Sequence, residues 1–127
     1  MILVFDVGNT ETTVGLFDGT ELRGHWRLST APARTADELG LLLRGLVHAA
    51  GCEPAQVRGA AIGSVVPAIT PALVEACHVY FETTPVVVDA RAPLPIRLDV
   101  DEPLTVGADR LINTLAASRL YGRDVIV

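Results

Sequence analysis

The chain has 127 residues, half of them hydrophobic and a fifth charged, which is enough for one ordinary domain with a real core. Its net charge is −5 and its pI about 5.0, so there is no sequence-wide basic footprint for nucleic acid. Every basic residue is an arginine, and the lack of lysine excludes a Walker A loop, which needs one on the β/γ-phosphates. Bound phosphate would have to be neutralised by backbone N–H groups, hydroxyls, arginine or a metal ion. Cys52 and Cys77 fit no metal-ligand spacing and read as free thiols in a reducing compartment. The apolar start is short, lacks a basic flank and carries Asp6, so it does not read as a secretory signal. The apolar runs are far below a membrane span, and a cytoplasmic, soluble protein with no nucleic-acid or membrane partner is the expectation.

In chain order, Ile2–Phe5 reads as a buried strand, Gly8-Asn9 as a turn and Thr12–Phe17 as the hairpin partner. Asp18-Gly19 is a second two-residue turn signal, leading into a third strand over Glu21–Leu28. Leu22, Trp26 and Leu28 share one parity on that strand, which predicts one common face, with Trp26 as a core anchor. Thr35-Ala-Asp-Glu38 is a capping box. The helix behind it carries Leu39, Leu42, Leu43, Leu46, Val47 and Ala50 on one stripe and stops at Gly51. Val57–Ser64 predicts a short buried strand, broken by Val66-Pro67. Thr70-Pro71 supplies an N-cap and an N1 proline for a helix to about Phe81. Pro85–Asp89 is a further strand, and Arg91–Pro103, with three prolines, a loop. Thr105–Tyr121 predicts a third helix with Ala108, Leu111, Ile112, Leu115 and Ala116 inward and Gly122 as its end. Residues 124–127 begin another strand. The order β-β-β-α-β-α-β-α-β predicts an α/β fold: a mixed sheet of three antiparallel strands followed by αβ units, with helices on both faces.

Three stretches carry candidate chemistry. Asp6-Val-Gly-Asn-Thr10 is either a plain tight turn or a phosphate cradle. As a cradle, Gly8 admits close approach of a polyphosphate, successive N–H groups form an anion nest, Thr10 adds a hydroxyl donor, and Asp6 holds a hydrated Mg²⁺. Gly107-Ala-Asp-Arg110 opens the third helix. There Asp109 either complements the helix dipole or accepts a proton from a substrate hydroxyl, while Arg110 either pairs with a surface carboxylate or grips an anion. Ile62–Pro67 reads on its own as a strand end and turn, and His25, His48 and His78 have no partner spacing. A dinucleotide-binding G-x-G-x-x-G is absent.

Taken together and in order, DVGNT at 6–10, RTADEL at 34–39, SVVP at 64–67 and DEPLTVGADRLIN at 101–113 resemble the type III pantothenate kinases. The resemblance implies a place in the acetate and sugar kinase/Hsp70/actin superfamily, with two ribonuclease H-like lobes and the active site between them. Residues 1–121 would form the N-terminal lobe and 122–127 the first strand of a second. The implied reaction is ATP-dependent phosphorylation of pantothenate, the first step toward coenzyme A, with Mg²⁺, a monovalent cation (K⁺ or NH₄⁺) and a homodimer. By the same resemblance Asp6, Gly8, Asn9 and Thr10 match the phosphate and metal motif, with Mg²⁺ on Asp6 directly or through water. Asp109 matches the catalytic base, and Gly107 and Arg110 match pantothenate contacts. The chain departs from the family pattern at Val100 and Glu102, which stand where many members have Tyr and Asn. The family's second phosphate motif, Asp-x-Gly-Thr, is expected beyond residue 127, so residues 1–127 alone are expected to be inactive. Two other readings use the same fold: a non-catalytic regulator, and another small-molecule kinase of the superfamily.

Overall fold

A computed structural model describes residues 1–122 and 126 of the chain. The strand expected over 124–127, and with it the start of a second lobe, lies outside the described residues. The opening is a meander of β1 (Ile2–Val7), β2 (Glu11–Asp18) and β3 (Glu21–Ser29). Gly19 takes φ +59 at the β2–β3 turn, a left-handed conformation for which glycine is suited. Helix α1 (Ala36–Ala49) leads to β4 (Gly59–Ser64), and α2 (Thr70–Phe81) to the short β5 (Val86–Val88). Helix α3 (Ala108–Tyr121) follows a long loop that ends in a single 3₁₀ turn, and Gly122, at φ 58, closes it. The five strands form one mixed sheet in the order β3-β2-β1-β4-β5. The β1–β2 and β2–β3 pairs are antiparallel, and β1–β4 and β4–β5 are parallel.

Strand parity decides where the core lies. Leu3, Phe5 and Val7 of β1, Val14 and Leu16 of β2, and Ala60 and Ile62 of β4 all point to one face and are buried. That face is covered by Leu39, Leu43 and Val47 of α1 and by Leu73, Ala76 and Cys77 of α2. The two helices approach closely because Gly40 has no side chain, and a Cβ there would run into the Tyr80 ring. The Tyr80 hydroxyl donates to Asp37 Oδ1 at 2.6 Å, and this bond raises its pKa. The capping box forms as expected: Thr35 Oγ1 accepts from Glu38 N–H, and Glu38 Oε2 accepts from Thr35 N–H at 2.8 Å. The Thr35 N–H and hydroxyl hold the Glu38 carboxyl below its usual pKa. Cys52 and Cys77 are free and buried.

The opposite face receives α3. Gly63 permits this, since a Cβ there would meet Ile112 of α3. Helices therefore lie on both faces of the sheet, as expected. Of the α3 residues predicted inward, Ala108 and Leu111 are buried, Leu115 is half-buried, and Ile112 and Ala116 are exposed.

Two further expectations are corrected. Leu22, Trp26 and Leu28 do not share a face. The β2–β3 register slips between Leu16 and Phe17, so Leu16 pairs with Gly24 but Phe17 with Leu22. One extra residue in β3 inverts the parity beyond it. Trp26 and Leu28 pack on the core, while Leu22 turns to the α3 side and is half-exposed. The second correction concerns Thr70, which is the first residue of α2; Ile69 is the N-cap and makes no side-chain capping bond. The Thr70 hydroxyl is engaged elsewhere, donating toward Ser64 Oγ at 2.9 Å and Val66 O at 3.1 Å.

Candidate functional site

The site forms where β1 ends. Parity sends Asp6 to the α3 side, in register with Thr13 of β2 and Gly63 of β4, and leaves it exposed. The chain then turns through Gly8, Asn9 and Thr10. Gly8 is not in the left-handed region, so positive φ is not its role here. What it avoids is crowding: a Cβ would stand 3.0 Å from the Glu11 carbonyl oxygen. The Gly8 N–H already donates to that oxygen at 3.0 Å. The expected nest is thereby narrowed, because Gly8 cannot offer its N–H to a phosphate as well. Among the described residues, the N–H groups of Asn9 and Thr10 donate to no backbone acceptor.

The turn is gripped from both sides. On one flank, Thr30, the residue after β3, donates its hydroxyl to Gly8 O at 2.7 Å and its N–H to Thr10 O at 2.9 Å. On the other, Val65 N–H donates to Val7 O at 3.0 Å. Val65 belongs to the SVVP stretch, which Ser64 folds back by accepting from Val66 N–H at 3.1 Å.

The second motif approaches over Gly63. Gly107 is the N-cap of α3, with extended backbone (φ −64, ψ 149) and no side-chain capping bond. The Asp109 carboxylate folds back toward it, so a Cβ on Gly107 would stand 2.6 Å from Asp109 Oδ1. Gly107 thus makes room for the position that Asp109 adopts. Arg110, one residue on, is exposed and does not line the cavity that Asp109 lines.

That cavity, of about 460 Å³, joins the two motifs: Asp6 and Asp109 both line it. Thr13, His25 and Asn113 add polar groups, while Val4, Phe17 and Leu22 are among its apolar walls. The sequence reading missed Thr13, His25, Asn113 and Thr30. Asn113 had a signal, since it stands four residues after Asp109 and so shares its helix face. Thr13 and His25 needed the strand register.

The chemistry of the donor set bears on the expected Mg²⁺. Among the described residues there is no group of three or more His, Cys, Asp or Glu side chains that could cage a metal. One exposed carboxylate at a strand end suits Mg²⁺, which keeps several waters and takes its remaining ligands from substrate phosphates.

Among the described residues, a mixed sheet opening with three antiparallel strands, with two helices on one face and one on the other, has the ribonuclease H-like fold of the actin-like ATPase type. The fold is shared with the crystal structure of a proposed N-acetylglucosamine kinase from Porphyromonas gingivalis, at a TM-score of 0.50 and 24% identity, over 68% of this chain and 34% of that one. The family model for type III pantothenate kinase matches residues 2–127, and the chain belongs to that family. Type III pantothenate kinases of Geobacillus kaustophilus and Roseiflexus castenholzii are 41% and 42% identical over all 127 residues. The Listeria monocytogenes enzyme is likewise 42% identical. The chain spans about half the length of the curated relatives it matches, 49% and 50% for the first two.

Proposed function

We propose that this chain is the N-terminal lobe of a kinase that transfers the γ-phosphate of ATP to the hydroxyl of pantothenate. The observation carrying this reading is that Asp6 and Asp109, from motifs at opposite ends of the chain, line one cavity. In the reaction, the pantothenate hydroxyl oxygen attacks the γ-phosphorus and the bond to the β–γ bridging oxygen breaks. The hydroxyl proton passes to the Asp109 carboxylate, and ADP leaves. Asp6 would hold Mg²⁺, which neutralises phosphate charge when bound. In the turn that begins at Gly8, the Asn9 and Thr10 N–H groups and the Thr10 hydroxyl are the phosphate donors, and Arg110 takes the pantothenate carboxylate if its exposed side chain swings over the cavity mouth. Positioning and charge neutralisation then account for most of the rate, as is general for phosphoryl transfer.

The adenosine contacts, the monovalent cation and the second phosphate motif belong, on this proposal, to the remaining half of a protein as long as its relatives. A homodimer in the cytoplasm completes the reading. Among the described residues no helix is long and apolar enough to cross a membrane. The test is a coupled assay of ATP-dependent pantothenate phosphorylation on residues 1–127 and on a form of the relatives' length. Turnover by the longer form alone is expected. Robust turnover by residues 1–127 overturns the two-lobe proposal, and failure of the longer form to bind either substrate favours a regulator on the same fold.

A further inference from the structure

The hydrogen bonds at Thr30 have a direction, and the direction has a consequence for nucleotide binding. Thr30 Oγ1 lies 2.7 Å from Gly8 O and 2.8 Å from Thr12 Oγ1. A carbonyl oxygen only accepts, so the single Thr30 hydroxyl proton goes to Gly8, and Thr12 must donate to Thr30. The order is therefore Thr12 O–H to Thr30 O–H to Gly8 C=O. Thr12 is 4% exposed, and among the described residues no buried side-chain polar atom lacks a partner. The far end of the chain is thus fixed inside the protein. Among the described residues there is no cis peptide bond. In a trans peptide the C=O and the next N–H point in opposite directions within one plane. With Gly8 C=O drawn to Thr30, the Asn9 N–H points away from the Thr30 hydroxyl, and Asn9 itself is exposed.

We propose that Thr30 is a positioning residue for nucleotide binding: through Gly8 C=O it fixes the Gly8–Asn9 peptide so that the Asn9 N–H is presented to a phosphate oxygen of ATP. This rests on the kinase reading above. Thr30 touches no substrate and acts only through the peptide it holds. The second bond, from Thr30 N–H to Thr10 O, fixes the far side of the same turn and survives any side-chain substitution except proline.

The test uses the protein at the length of its relatives, with Thr30→Val, which keeps the shape and removes the hydroxyl, and Thr30→Ser, which keeps the hydroxyl. Thr30→Val is expected to raise KM for ATP, and the dissociation constant for Mg-ADP, by about tenfold, the scale of one hydrogen bond. KM for pantothenate should stay within about twofold, and Thr30→Ser should stay within about twofold of wild type on every measure. A Thr30→Val protein that loses thermal stability yet keeps wild-type ATP and Mg-ADP affinity overturns the proposal, as does an equal rise in both KM values. If Thr30→Val does not fold, amide exchange in the wild type decides: Mg-ADP is expected to slow the Asn9 amide, and no slowing overturns the proposal. A wild type that binds Mg-ADP without phosphorylating pantothenate removes the substrate reading, and the Mg-ADP titration alone then decides for or against Thr30.

Discussion

The two faces of the sheet are built from the same strands and differ in almost everything else. On β1, Leu3, Phe5 and Val7 are 1–3% exposed under α1 and α2, whereas Ile2 is 48% exposed and Asp6 opens to solvent on the other side. The closed face is filled by two helices with complementary stripes. The other face carries one helix, seated over Gly63, and beside it the cavity that both motif carboxylates line. One parity of the strands supplies the stability that lets the other remain open for chemistry, and substitutions on the two faces should fail in different ways.

The largest effect is expected on the open face. In a form of the relatives' length, Asp109→Asn should lower kcat by about 10²–10⁴-fold, the range for a general base, with little change in thermal stability because Asp109 is exposed. An unchanged kcat removes Asp109 from that role. On the closed face the effect is on folding. Leu43 is 1% exposed between α1 and the sheet. Leu43→Ala should cost about 2–5 kcal/mol of unfolding free energy, read from the urea midpoint at constant slope. A cost below about 1 kcal/mol would mean that the two-helix face is not the tightly packed one.

Cys77 sharpens the comparison through pH. It is fully buried on the closed face, and burial pushes its thiol from 9.0 up to about 11. The unfolded chain therefore releases this proton first as pH rises. The stability tied to the neutral thiol is complete below about pH 9 and is lost as pH climbs toward about 11. Denaturation midpoints measured across that window should fall more steeply for the wild type than for Cys77→Ala. Parallel curves would mean that the buried thiol is not coupled to folding.

How far the sequence revealed this arrangement varies with the range of the interaction. Alternation in β1 and β2, the box at Thr35 and Glu38, and the glycines at 19, 51 and 122 are local signals, and the structure follows them. The pairing of Asp6 with Asp109 came from two motifs and a family resemblance; their shared cavity exists because Gly63 lets α3 sit down on β4. The Thr12–Thr30–Gly8 chain depended on register across two hairpins, which no local pattern specifies. Thr70 misled because threonine before proline looks like a cap, and here a tertiary partner, Ser64, competes for its hydroxyl.

The smallest predicted effect tests one of the sequence expectations that the structure overturned. Continuous alternation along β3 would put Leu22 and Leu28 on one face and make them alike in energy. The register slip separates them: Leu28 packs against the core, while Leu22 is 50% exposed beside Phe17 and His25 on the open side. A half-exposed leucine has lost less water on folding than a packed one and has less to forfeit. Leu22→Ser should therefore change stability by no more than about 0.5 kcal/mol, and Leu28→Ser should cost about 1–3 kcal/mol, both read from urea midpoints. Equal costs would restore the unbroken strand. Leu22 would then return to the core side and Arg23 would pair in register, leaving the cavity without one of its apolar walls.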